Sequence, residues 1–211
     1  MAFDHQEQEQ IDELKSWWNQ HGNTVLLAVL LVTIIVAGYR GWDYYQRNQS
    51  HAASILYDQL QDAERARDPK KVRDIAAQLT SKYGSTVYGV FAAFSAARAS
   101  VESGELAGAK PQLEWVLKNA KDEEAKDIAR LRMAAVLLDE KNYEEALKQL
   151  DAKPVEPMAA LFADLRGDVL AVQGKKDAAR AAYQLALDRS DAGSSYRGVI
   201  QVKLDALGES K

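Results

Sequence analysis

Few side chains in this sequence can do chemistry, and where they stand excludes most of it. The three histidines, His5, His21 and His51, lie within the first 51 residues, and residues 52–211 contain neither His nor Cys. That stretch therefore lacks the commonest general base, the thiol nucleophile and the usual zinc ligands. Asp122-Glu123-Glu124 and Glu144-Glu145 bring carboxylates together, as a hydrolase working with two acids requires. Acidic runs at helix starts are more often solvated and held by the helix dipole. Gly174-Lys175 resembles the end of a phosphate loop, but Val169 occupies the earlier glycine position and Lys176 stands where Ser or Thr belongs. Arg166-Gly167-Asp168 matches an adhesion tripeptide, yet it falls inside a helical pattern at a small-residue position. The chain reads as a non-enzyme, with no catalytic residue, metal ligand or cofactor site to assign.

What remains is recognition chemistry. Phe91, Phe94 and Arg98 share one helix face by their spacing, and combine apolar surface with a fixed charge, as a peptide-binding face does. The same spacing also serves plain packing of both phenylalanines against a preceding helical pair, the commoner use. A second set, Thr33, Ala37 and Gly41, recurs every fourth residue and could seat another membrane helix, although small residues are frequent in such helices anyway.

The elements that must carry these sets follow from composition. The chain has 211 residues, 47% hydrophobic and 27% charged. Its charge is unevenly spread, for Ser16 to Tyr39 contain no Asp, Glu, Lys or Arg. Thr24–Tyr39 is apolar on every face, and the 24 uncharged residues span ~36 Å as a helix, enough for a hydrocarbon core of ~30 Å. Trp17 and Trp18 precede the apolar run, and Tyr39, Trp42, Tyr44 and Tyr45 close it, one aromatic girdle for each interface. The leader is acidic and Tyr39-Arg40-Gly41-Trp42 makes a poor cleavage site, which favours an uncleaved anchor over a signal peptide. Three segments result: an acidic tail over 1–15, a transmembrane helix over 16–45 and a body over 52–211. Flanking charge does not orient the anchor. Lys15 stands before it and Arg40 and Arg47 after it, a one-residue lean towards a cytoplasmic body that a long domain can override.

The body holds 25 acidic and 24 basic residues. It lacks the positive surplus that phosphate neutralisation needs, so nucleic acid is excluded as a partner. From His51 onward the apolar positions follow helical spacing, as in Ile128, Leu131, Ala135 and Leu138, and no strand pattern stands out. Gly and Pro punctuate the segments at Pro69, Gly84, Gly104, Pro154 and Gly174, and Ser85 or Thr86 is placed to cap a helix starting near Val87. Ala109, Ala146 and Ala179 recur 37 and 33 residues apart, each with a large residue four positions on: Leu113, Leu150 and Tyr183. That period is close to the tetratricopeptide repeat of 34. A small residue lets antiparallel helices approach, and its large neighbour fills the groove beside it. The spacing predicts an all-α body of stacked helical pairs, with a degenerate first pair over 52–83 and a terminal capping helix over Tyr196–Leu207.

Several stretches resemble one family. Glu9-Gln-Ile-Asp-Glu-Leu-Lys15-Ser-Trp-Trp18-Asn-Gln-His-Gly22 runs directly into the span. Tyr83-Gly84-Ser-Thr-Val-Tyr88-Gly89, Leu131-Arg-Met-Ala-Ala135, Ala163-Asp-Leu-Arg-Gly-Asp168 and Ala178-Ala-Arg-Ala-Ala-Tyr183 follow in order. Together they resemble the YfgM family, ancillary subunits of the bacterial SecYEG translocon, over nearly the whole chain. The resemblance implies a single-pass inner-membrane protein with a cytoplasmic amino terminus and a periplasmic repeat domain. Its implied partners are the SecYEG translocon, the periplasmic chaperone PpiD and unfolded secreted polypeptides, and its implied role is helping to hand over emerging chains. The alternative is an adaptor scaffold that recruits a different membrane complex, with a cytoplasmic body.

Overall fold

The computed structural model describes residues 2–208, with side chains from Gln10 onward except that of Asp12. Helix α1 spans Ala2–Arg65, followed by α2 (Pro69–Tyr83), α3 (Val87–Glu102), α4 (Leu106–Asn119) and α5 (Glu123–Asp139). Then come α6 (Tyr143–Gln149), a 3₁₀ turn (Glu156–Met158), α7 (Ala159–Val172), α8 (Lys176–Arg189) and α9 (Tyr196–Ala206). Among the described residues there is no strand. The chain divides into two compact units between Gln49 and Ser50, so α1 supplies the first unit and, with its last turns, the start of the second.

In the first unit, α1 is the one described helix long and apolar enough to cross a membrane. Its apolar side chains are open to the surroundings, as Leu30 and Ile35 show at 55% and 68% exposure. A soluble domain would bury such residues, so the helix needs lipid or protein around it. The residues read as an acidic tail are helical from Ala2 and continue into the span without a break.

The second unit is a stack of antiparallel pairs. The turns inside the pairs are the same device four times over. Arg67, Gly104, Lys141 and Gly174 adopt left-handed backbone, with φ of 53°, 77°, 61° and 76°. In each turn the next N–H reaches back five residues, as in Asp68 to the Ala63 carbonyl (3.0 Å) and Glu105 to that of Ser100 (2.8 Å). This double-bonded helix stop satisfies carbonyls that would otherwise be orphaned. The turn residues lie 37, 37 and 33 positions apart, so the period seen in the alanines extends one repeat earlier.

The small-and-large pairing holds at the crossings. Ala109, Ala146 and Ala179 are fully enclosed, and Leu113, Leu150 and Tyr183 are buried beside them. Gly167 shows how tight such a crossing is, because a Cβ there would sit 2.4 Å from the Tyr183 ring. The first pair follows the same plan with other residues: Val72 occupies the marker position, and Leu60 the place held later by Ala97, Ala134 and Gly167, all of them buried. Larger side chains at both small positions disguised it. Leu60, Val72, Ile75 and Leu79 join Ala92 and Ala96 of α3 in one core; Leu113, Val116, Met133 and Phe162 belong to a central one; Tyr183, Leu187 and Ile200 seal α7–α9.

Two local expectations need correction. Thr86 does stand at the start of α3, but its hydroxyl donates backward to the Tyr83 carbonyl at 2.7 Å, and makes no capping bond. The buried face of α5 is Ala129, Met133, Val136 and Leu137. Ile128, Leu131, Ala135 and Leu138 flank it half-buried, because α5 is sandwiched between neighbours and its pattern is broad enough to be read one residue off.

Candidate functional site

Helix α3 turns its small residues, Ala92, Ala93, Ala96 and Ala97, into the two adjoining cores. Its large residues are thereby left on the opposite face. Phe91 is 44% exposed, with its ring 6.0 Å from that of Tyr57. Phe94 is half-buried against the central core, and the Arg132 guanidinium of α5 lies 4.6 Å above its ring centroid. Neither phenylalanine is among the enclosed core residues. Arg98 reaches Glu64 at 3.0 Å and Glu102 at 3.6 Å. Phe91, Phe94 and Arg98 therefore come together, and with Tyr57, Ile128 and Arg132 they line one depression of about 280 Å³.

Arg132 and Tyr57 were not singled out from the sequence, and Ile128 was read only as part of a helical apolar pattern. The available signal was the four-residue step from Ile128 to Arg132, which sets an apolar side chain and a cation on one face of α5, as Phe94 and Arg98 do on α3. A second depression of about 280 Å³ continues beyond the two arginines, lined by Ala97, Val101, Leu113, Ala135, Val136 and Asp139. Its lining is mostly apolar. Arg132 retains contact with solvent, yet partial burial, and secondarily the charge of Arg98, draws its pKa below the usual arginine value.

The carboxylates that could have suggested catalysis have structural duties. Asp122 caps α5, accepting from the Glu124 and Ala125 amides at 3.4 Å, and Glu123 pairs with Lys126. Glu144 and Glu145 occupy the first turn of α6, where the helix dipole favours them. Asp168 accepts from the Tyr183 hydroxyl at 2.8 Å and from Lys203 at 2.8 Å, which ties the apparent adhesion tripeptide to the helical stack. Asp127, buried mid-helix, accepts from Arg130 (2.7 Å) and from the Val155 amide (2.8 Å), pinning the segment that leads into α7.

In the membrane unit Thr33, Ala37 and Gly41 fall on one face of α1. The Thr33 hydroxyl donates to the Val29 carbonyl at 2.8 Å, so it is satisfied within its own helix. A side chain added at Gly41 would meet nothing within 4 Å. At the span's ends, Trp17 stacks on His21 at 5.4 Å, and Trp42 approaches Tyr45 at 6.2 Å.

Comparison with known proteins covers anchor and body together. A profile described as Tetratricopeptide repeat-like domain matches residues 15–209. The ancillary SecYEG translocon subunit of Escherichia coli (strain K12) is 30% identical over 201 residues, covering 95% of this chain and 96% of that protein. The Neisseria gonorrhoeae protein of the same name is 29% identical, covering 98% and 100%. The Haemophilus influenzae one is 30% identical, covering 88% and 91%. Among solved structures, MamA (41-end) from Desulfovibrio magneticus RS-1 is similar in fold, with a TM-score of 0.54 at 21% identity over 74% of this chain and 88% of that one. With the apolar helix, the paired helices and a repeat profile accounting for nearly every residue, the chain belongs to the tetratricopeptide-repeat-like YfgM family, whose curated members are named ancillary SecYEG translocon subunits.

Proposed function

We propose that this protein is an adaptor of the Sec translocon, anchored in the inner membrane by α1 and presenting its helical stack to partner and client polypeptides. The observation that carries this reading is the end-to-end likeness to ancillary SecYEG translocon subunits, which spans the anchor as well as the repeats. The amino terminus is cytoplasmic and the body periplasmic. Thr33, Ala37 and Gly41 form the face of the span that meets a translocon helix, since small residues permit close backbone approach. The depression at Phe91, Phe94 and Arg98 receives an extended segment, from a chaperone such as PpiD or from an emerging secreted chain. Its apolar walls and fixed charges suit that mode of recognition.

A photo-crosslinker placed at Ala37 or Gly41 in native membranes captures a translocon subunit on this reading. Adducts confined to another membrane complex would assign the protein to that complex instead. Orientation is tested with Gly193→Cys, in the turn before α9, where a new side chain meets nothing within 4 Å. The chain has no other cysteine. An impermeant thiol reagent labels it in intact spheroplasts if the body is periplasmic. Labelling only after lysis would place the body in the cytoplasm, as the positive flank of Arg40 and Arg47 favours.

A further inference from the structure

The two depressions between α3 and α5 share Arg98 and Arg132, so the arginines stand on the border between them. Their charges are not equally compensated. Arg98 is held by Glu64 and Glu102. Arg132 makes its described contact with the face of Phe94, which attracts a cation without neutralising it. A guanidinium stays charged throughout the physiological range. Partly desolvated and beside a second arginine, this one is electrostatically favourable for an anion.

Apolar side chains stand on both sides of that charge, Phe91, Phe94 and Ile128 on one side and Val101, Ala135 and Val136 on the other, with Ser95 and the carboxylate of Asp139 as further polar groups of the lining. A bound chain therefore continues in both directions past the arginines, which calls for an anion inside a segment and not at its end. Geometry sets the spacing. Phe94, Arg98 and Val101 succeed one another by about one helical turn, ~5.4 Å, and same-side residues of an extended chain recur every ~6.6 Å. Each groove position then meets every second residue of the occupant.

On the reading that this groove receives polypeptide, we infer that it selects segments of the form apolar-x-acidic-x-apolar, with Arg132 as the countercharge for the acidic side chain. Charge complementarity names the occupant: a polypeptide segment with an internal Asp or Glu between two aliphatic or aromatic residues. Each depression is slightly below the ~300 Å³ at which small-molecule sites begin, a size suited to one side chain apiece.

The test uses the full chain in detergent micelles and fluorescein-labelled peptides read by anisotropy. The first is Ser-Leu-Ser-Glu-Ser-Leu-Ser, amidated at its carboxyl end. Others replace Glu by Gln or Lys, or both Leu by Ser, and one carries Gln with a free terminal carboxylate. The Glu peptide is expected to bind about tenfold more tightly than the Gln peptide, the scale of one charge-assisted hydrogen-bonded pair. Arg132→Gln should erase that preference without changing the helical signal or Tm, and Arg132→Lys should restore part of it. Equal binding of Glu and Gln peptides, or tighter binding of the Lys peptide, overturns acidic selection. A preference that survives Arg132→Gln does so too, and a free-carboxylate peptide matching the Glu peptide overturns the internal-residue form. In those cases the groove reading itself still stands if losing both leucines, or Phe91→Ala, weakens binding. If neither change matters, or no peptide binds, both readings fall.

Discussion

Two cation clusters in the body use similar side chains in opposite ways. At the carboxyl-terminal end, Lys203 of α9 bonds to Asp164 at 2.7 Å and Asp168 at 2.8 Å, and the Tyr196 hydroxyl donates to Asp164 at 2.6 Å. Asp164 is buried, and its other oxygen has no hydrogen-bond partner. In the α3–α5 groove, Arg132 lies on an aromatic face and borders two open depressions. The first cluster joins α9 to α7 through groups paired with one another. The second keeps charge available. A helical stack can therefore enclose a cation or leave it bordering open surface, and the difference lies in whether carboxylates of the same chain reach it.

The sharpest way to break that contrast is to remove an enclosing group. Tyr183→Ala should destabilise the full chain by about 3–5 kcal/mol, the range for emptying a buried aromatic site, as measured by thermal unfolding followed by circular dichroism. A loss below 1 kcal/mol would mean that the α7–α9 cluster is not structural. Lys203→Met, which strands a buried Asp164, should cost about 2 kcal/mol, reduced from the value for a fully buried pair by the lysine's partial exposure.

The same cluster predicts a pH response. Burial first, and then the bonds and charges of Asp168 and Asp164, raise the pKa of the Tyr183 and Tyr196 hydroxyls. Burial opposes the charge of Lys203, but the bonds and charges of those two aspartates outweigh it and its pKa is also raised. All three groups hold their protons more tightly when folded. Their stabilisation is complete below the unfolded values of 10.0 and 10.5 and is lost as pH rises through and above them. Tm should fall as pH rises above about 10, and less steeply in Tyr196→Phe. A flat profile would refute the assignment.

At the groove, substitutions should cost far less stability. Phe91→Ala and Arg132→Gln should each change it by about 0.5 kcal/mol or less, as surface positions do, while affecting peptide capture. A loss of several kcal/mol at Phe91 would make it core and remove it from the groove. The turns that close the α3–α4 and α5–α6 pairs fall between the groove and the enclosed cluster in size of effect. Lys141→Gly should stabilise, and Gly104→Ala destabilise, by about 1 kcal/mol each, because only glycine adopts left-handed backbone without strain.

Much of this was legible beforehand, and the misses are physical. Ala109, Ala146 and Ala179 revealed three pairs because packing demands a small residue where helices cross. The first pair, over 52–83, was legible only as a degenerate copy because Leu60 and Val72 stand at its small positions, and a crossing can also be filled by exchanging which partner is large. Half of the turn signal was missing for a similar reason: Arg67 and Lys141 hold a conformation usually announced by glycine. Phe91, Phe94 and Arg98 could be placed on one face from their spacing, but no spacing within α3 brings in Arg132, which sits on another helix. Asp164, Asp168 and Lys203, 39 residues apart at most, meet only because α9 folds back over α7.

The sequence by itself determined the apolar anchor with its girdles, the all-α period of the body and the absence of histidine and cysteine chemistry there. These depend on residue type and on spacing within a turn or a repeat, which the backbone imposes locally. Only the tertiary structure decided which cations are enclosed and which stay open. That outcome depends on carboxylates and aromatic rings from helices distant in the chain, and their distances are set by how the pairs pack.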